Sequence, residues 1–305
     1  MDLPNPVAYA IPVFILLLAV EIIAGRRTGR ARYTLKDASA SLTMGLGYVI
    51  IATLLAGVFG TVYALTYEHR LFDFGFAWWA FPAAFLLDDF LYYWWHRWSH
   101  EVRWFWANHV GHHSSRHYNL STALRQPWTS TFTGLLFLWV PMVWLGFHPL
   151  LIAFVGGLNL VYQFWIHTEM IRRMPRWFEA VFNTPSHHRV HHATNPRYID
   201  ANYAGVFIIW DRLFGTFVAE RDDDPCTYGI IKNLKSHNPL VIAFHEWAAI
   251  FRDWLGVRSA REWWGYTFGP PGWSPDGSRM TSAQLKEEWR RTSAEKHEAG
   301  QGTPV

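Results

Sequence analysis

The chain has 305 residues, half of them hydrophobic, with 19 Trp, 22 Phe and 13 Tyr against a formal net charge of only +3. That much aromatic surface exceeds what an ordinary soluble domain uses and points to a membrane protein, while Lys and Arg scattered along the chain, without a basic stripe, argue against a nucleic-acid partner. A single cysteine, Cys226, excludes an internal disulfide framework, a cysteine-ligated iron–sulfur cluster and a Cys-rich zinc module, so any metal chemistry rests on His and carboxylates.

Residues 6–25 (PVAYAIPVFILLLAVEIIAG) carry one charge, Glu21, and have the length that crosses a hydrocarbon core of about 30 Å. No basic segment precedes this run and no small-residue cleavage site follows it, so a retained span is expected and not a signal peptide. The next loop, RRTGRARYTLK, holds Arg26, Arg27, Arg30, Arg32 and Lys36, which the positive-inside rule assigns to the cytoplasm. Residues 42–66 form a second apolar run, and residues 76–95 (FAWWAFPAAFLLDDFLYYWW) a third that ends directly on His96. Residues 131–167 are too long for one span and carry turn chemistry at GFHP, which splits them into a fourth and a fifth.

Counting from the basic loop, residues 97–130 and everything after 167 fall on the cytoplasmic side. The expected fold class is an all-α integral membrane protein of about four to five transmembrane helices, with a cytoplasmic, helical, His-rich cap that binds metal. Its expected regions are residues 1–75 (first spans and basic loop), 76–220 (catalytic region) and 221–305 (cytoplasmic C-terminal region with a polar tail). Residues 202–217 are too short and polar to span, residues 281–298 suit a polar helix, and the last residues have the composition of a disordered tail.

Sixteen histidines are present, and ten of them fall in two windows: His96, His100, His109, His112, His113 and His117, then His187, His188, His191 and His192. In HRWSH, His96 and His100 are four apart and share one helical face. HVGHH places His109, His112 and His113 at i, i+3 and i+4, and HRVHH repeats that with His188, His191 and His192. Three helical faces thus offer eight imidazoles, roughly enough for two metal ions with positions left open. His167, in QFWIHTE at the end of the fifth span, is the ninth expected ligand. His187 is one position out of register and His117 lies beyond the HVGHH face, so each is a candidate for a ligand or a supporting contact.

Asp88 and Asp89 lie inside the third span, where an ionised carboxylate costs about 2.5 to 3.5 kcal/mol and requires a partner. Asp89 is expected to accept an N–H from a ligating imidazole and so fix its tautomer; nothing is assigned to Asp88. Arg97, Arg125 and Gln126 are candidate contacts for a lipid headgroup.

The three boxes HRWSH, HVGHH and HRVHH, with DDFLYYWWHR leading into the first and NTPSHHRVHHATNPRYIDANYAGVFIIWDRLFGTF around the last, resemble the fatty acid hydroxylase and sterol desaturase superfamily. YNLSTALRQ and QFWIHTE are most similar to its alkylglycerol monooxygenase branch. The resemblance implies a membrane-bound, non-haem di-iron oxidoreductase that uses O2 to hydroxylate or desaturate a lipid. It also implies iron ligation by His96, His100, His109, His112, His113, His188, His191 and His192, with His167 in addition. Some members carry a further histidine four residues before that last position; here it is Gln163, and His187 is the expected substitute. No fused cytochrome b5 segment is found, so the implied electron donor is a separate redox protein or a reduced pterin.

Two other function classes use the same imidazoles. A zinc hydrolase requires a carboxylate as general base, for which Glu169 is the candidate. A metal transporter requires ligands staggered through the membrane, whereas these cluster on one side.

Overall fold

Residues 3–301 are described in a computed structural model of the chain, with side chains through Glu295. Among the described residues the chain is helical, with isolated bridges and no strand. Its α-helices are α1 (Pro6–Thr28), α2 (Leu35–Glu68), α3 (Ala80–Glu101), α4 (Arg103–His113), α5 (Val140–Leu145), α6 (Pro149–Trp165), α7 (Arg176–Val181), α8 (Pro185–His191), α9 (Ile209–Leu213), α10 (Pro239–Trp254), α11 (Ala260–Phe268) and α12 (Ser282–Gln301). Helix α12 continues through residues 299–301, where a disordered tail is expected, and the rest of that tail, residues 302–305, lies outside the described residues.

Helices α1 and α2 are long and apolar enough to cross a membrane. Asn5 starts α1 by accepting from the amides of Val7 and Ala8, and the left-handed Gly29 ends it. Large apolar side chains point outward along both, with Tyr9, Ile15 and Leu54 among the most exposed. That is the polarity of a lipid-facing surface, the reverse of a water-facing one. At a rise of about 1.5 Å per residue α2 exceeds the thickness of a bilayer core, and its first turns, with Asp37, Ser41 and Met44, are buried in protein.

The third apolar run begins its helix at Ala80 and continues past Trp95 to Glu101, so the apolar segment and the first histidine pair share one rod, α3. The segment expected as a fourth span is not a continuous helix. It consists of short 3-10 turns at Ser130–Phe132 and Leu135–Trp139, then the six-residue α5. Gly134 is left-handed at φ 86°, Pro141 supplies no amide to a preceding turn, and Gly146 at φ 127° ends α5. These pieces pack, through Met142 and Val143, with Ala80 and Ala84 of α3 and Leu151, Ile152 and Val155 of α6.

Asp88 and Asp89, both buried in α3, join elements. Asp89 accepts from the amides of Val206 (2.7 Å) and Phe207 (2.9 Å), from Trp210 Nε1 (2.9 Å) and from Asn159 Nδ2 (3.0 Å). It thereby docks the segment leading into α9 onto α3 and α6. This corrects the expectation that Asp89 accepts from a ligating imidazole: every donor it meets is a backbone amide, an indole or an amide side chain. Asp88 accepts from Trp139 Nε1 and from Asn159. At Gly205 the chain passes so close to Asn159, Asp89 and Tyr92 that a Cβ would lie 2.7–2.9 Å from all three, so no larger residue fits this junction.

Candidate metal centre

Val102 is extended (φ −118°, ψ 120°) between α3 and α4. This single break turns the chain back, so that His109 and His113 of α4 face His96 and His100 of α3. Short α8 brings His188 and His191, with His192 as its cap, onto the same spot, and His167 arrives from the turn after α6. All nine of these histidines are buried.

They separate into two groups, within each of which the nitrogens lie no more than 4.8 Å apart: His96, His100, His109, His113 and His191, and then His112, His167, His188 and His192. Neighbouring residues of one box therefore serve different groups. His112 and His113 diverge because successive helical residues are about 100° apart, and His191 and His192 diverge likewise. The groups adjoin, with the His113 and His192 rings stacked at 4.2 Å.

Backbone carbonyls orient four of the rings. His96 Nδ1 is 2.7 Å from Tyr203 O, His191 Nδ1 2.9 Å from Ala201 O, His167 Nδ1 2.7 Å from Gln163 O and His112 Nδ1 3.3 Å from Arg125 O. A carbonyl only accepts, so each of these rings carries its proton on Nδ1 and a lone pair on Nε2. His112 and His167 then face each other, Nε2 to Nε2 at 3.3 Å, with no proton between them. Other Nε2 pairs stand at 3.0 Å (His96 and His109; His167 and His188) and 3.1–3.2 Å (His109 and His113; His113 and His191; His188 and His192).

A cation fits this arrangement. Around one ion with bonds of about 2.1 Å, adjacent nitrogens lie about 3.0 Å apart in an octahedron and about 3.4 Å apart in a tetrahedron. Buried His100 Nε2, His109 Nδ1 and His188 Nδ1 have no hydrogen-bond partner. Burial, and then the neighbouring imidazoles, hold His109, His113, His188, His191 and His192 well below the ordinary histidine range, and burial followed by His167 does the same to His112. Neutral imidazoles with free lone pairs are the form that binds a transition metal.

The remaining candidates do not join these groups. His187 is buried against Phe217, its carbonyl receiving Asn202 Nδ2, and burial pushes it down to about 4. Gln163 is committed to Asn159 and Tyr92, and His187, the expected substitute for a histidine there, is in neither group. His117 is half-buried, and its carbonyl serves Ser115 and Thr122. Arg125 is fully buried, its guanidinium bonded to Asp37 (2.5 Å), Ser41 and Ser114, which corrects its expected role as a headgroup contact. Arg97 pairs with Glu101, and Gln126 donates to Ala123 O. Glu169 is outside both groups.

Several supporting residues escape a reading of the sequence. The loop at 200–204 offers the carbonyls of Ala201 and Tyr203 because Asp200 and Asn202 are left-handed, at φ 51° and 57°. Asp211 holds this loop by accepting from the amides of Tyr203 and Ala204 and from Thr216, and Asn202 bridges it to Val218. The Asp and Asn in YIDANY are the available signal, since these residues tolerate the left-handed region. The carbonyls themselves carry none.

Residues 81–216 match the family model described as fatty acid hydroxylase. The chain is 38% identical over 288 residues to alkylglycerol monooxygenase of Homo sapiens, covering 92% of this chain and 62% of that protein. It is 36% identical to the Danio rerio and 37% identical to the Xenopus tropicalis alkylglycerol monooxygenases with the same coverage. It thus spans 62% of the length of these relatives. No solved structure matches it. The stretch that is similar to the fatty acid hydroxylase family, residues 81–216, holds every histidine of both groups.

Proposed function

We propose that the chain is a membrane-bound, non-haem di-iron monooxygenase that hydroxylates a lipid, with the nine grouped histidines as iron ligands. The observation that carries this reading is the pair of adjoining buried imidazole groups with Nε2 atoms 3.0–3.3 Å apart, among which His112 and His167 face each other without a proton to join them. Iron held there would supply the activation of O2. The balance is RH + O2 + 2e⁻ + 2H⁺ → ROH + H2O, so two electrons come from an external donor, a reduced pterin or a separate redox protein.

The protein's own part is positional. Carbonyls of Tyr203, Ala201, Gln163 and Arg125 set the tautomers, and burial keeps the rings neutral and excludes water. The cytoplasmic placement of the site is supported by contacts with the basic loop. Asn119 donates to Arg32 O, Ser115 and Arg125 bond to Asp37, and Glu21 accepts from Tyr33, Thr168 and the amide of Leu120. The sites therefore sit at the Arg-rich end of α1 and α2, where a substrate with its chain in the bilayer presents its polar end. The relatives' name suggests an alkylglycerol as that substrate. Further spans at α3 and α6, of which α6 packs on both α1 and α3, belong to the same reading.

Metal analysis of protein from iron-grown cells, with turnover of an alkylglycerol under ¹⁸O2, tests the proposal. About two irons per chain and ¹⁸O in the hydroxylated product are expected. Zinc in the groups with undiminished turnover without oxygen would overturn it.

A further inference from the structure

The C-terminal region holds a helix whose polarity is inverted. In α10 the carboxylates face inward: Glu246 and Asp253 receive the buried Arg103 of α4 at 2.7 and 2.6 Å. Beside them Ile242, Trp247 and Ile250 are buried, the last two against Ala107 of α4. The outward face is apolar. Leu240, Val241, Phe244, Ala248, Phe251 and the capping Leu255 fall within about 100° of arc on a helix of 3.6 residues per turn, and all six are exposed, Leu255 at 90% and Leu240 at 59%. A stripe of that size does not face water without a reason.

We infer that α10 lies at the membrane surface with this stripe in the acyl-chain boundary, and so sets the depth of α4 and of its His109, His112 and His113. The inference rests on the reading that α2 crosses a bilayer, and it is independent of the oxygenase reading. Continuity selects lipid as the occupant. Trp128 bridges the two surfaces: its ring fills the space where Gly47 of α2 lacks a side chain, its Nε1 donates to Met44 O, and it meets Phe244 at 6.4 Å. The same turns of α2 expose Leu42 and Leu46. Cations follow the stripe, with Arg252, Arg258 and Arg261 exposed and Trp264 61% exposed among them. This is the pattern of an interfacial helix that meets anionic headgroups.

Spin labels on the full chain test the assignment. In a Cys226→Ala background, single variants Ala248→Cys, Phe251→Cys, Leu46→Cys and Glu287→Cys are labelled and reconstituted at low protein density in phosphatidylcholine–phosphatidylglycerol vesicles. Collision with O2 is compared with collision with water-soluble chromium oxalate. Labels at 248 and 251 are expected to follow the label at 46, favouring O2 several-fold over the label at 287 on polar α12. If 248 and 251 match 287 while 46 favours O2, α10 is in water and the inference is overturned, with α2 still in the bilayer. If 46 also reads as aqueous, the spanning reading of α2 falls and takes the inference with it. Shielding of 248 and 251 from both reagents, or dipolar broadening, would mean that protein covers the stripe, and it too would overturn the inference.

Discussion

The five-histidine and four-histidine groups are drawn from the same boxes yet are referenced to different parts of the molecule. In the first, His96 and His191 lean on carbonyls of the 200–204 loop, which Asp211 and Asn202 hold in shape. In the second, His167 reaches back to Gln163 O of α6, and His112 leans on Arg125, whose guanidinium is fixed by Asp37 at the start of α2. One group is thus registered to a C-terminal loop and the other to the apolar helices. The two adjoin, so a disturbance from either side should reach its own group first.

The largest effect is expected from the ligands. The four-membered group loses a quarter of its imidazoles in His192→Ala, whereas His100→Ala leaves four in the other. Turnover should fall below detection in both. Metal analysis should find one iron of the two missing in His192→Ala and both retained, though more readily chelated, in His100→Ala. Equal loss in the two variants would break the distinction.

Arg125→Met comes next. It strands the buried Asp37 carboxylate, which also accepts from Ser115, and breaking a buried pair from one side costs about 3–5 kcal/mol. Thermal unfolding in detergent should show that loss, with iron leaving the four-histidine group. The double variant Arg125→Met with Asp37→Asn should recover part of it. Asp211→Asn tests the other side. It replaces one acceptor oxygen by a donor opposite the Tyr203 and Ala204 amides, and loss of such outer support typically weakens metal binding by about 10- to 100-fold. Chelator competition should find that weakening for the five-histidine iron alone.

How much of this was legible follows the range of each signal. Helix existence and the nine histidines are local patterns, carried by hydropathy and by i, i+3, i+4 spacing, and the structure brings all nine together. The split between His112 and His113 follows from the same periodicity once two acceptor sites exist, but the boxes taken singly suggest one ion per face. The broken segment before α6 is hidden because Gly134 and Pro141 sit in an apolar run whose hydropathy equals that of a span. Asp89 and Arg125 are long-range: their partners lie 117 and 88 positions away. A sequence shows that each needs a partner without showing which. The outward face of α10 is legible as a stripe, but only its packing on Arg103 reveals which face is outward.

The smallest expected effect separates the grouped histidines from His187. Burial pushes His187 down to about 4 from the ordinary 6.5. Between those values the unfolded chain binds the proton and the folded chain does not, so this side chain makes stability rise with pH across that window. Its contribution is fully present above 6.5 and is lost progressively as the pH falls toward 4, at about 1.4 kcal/mol per pH unit. His187→Leu fills a similar volume against Phe217 and touches neither group. Unfolding free energy of the metal-free variant, measured by denaturant from pH 4 to 7, should therefore rise with a slope lower by about one proton's worth, while iron loading at neutral pH stays at the parent level. A lower iron content would put His187 among the ligands after all, and an unchanged slope would mean that it is not buried in the neutral form.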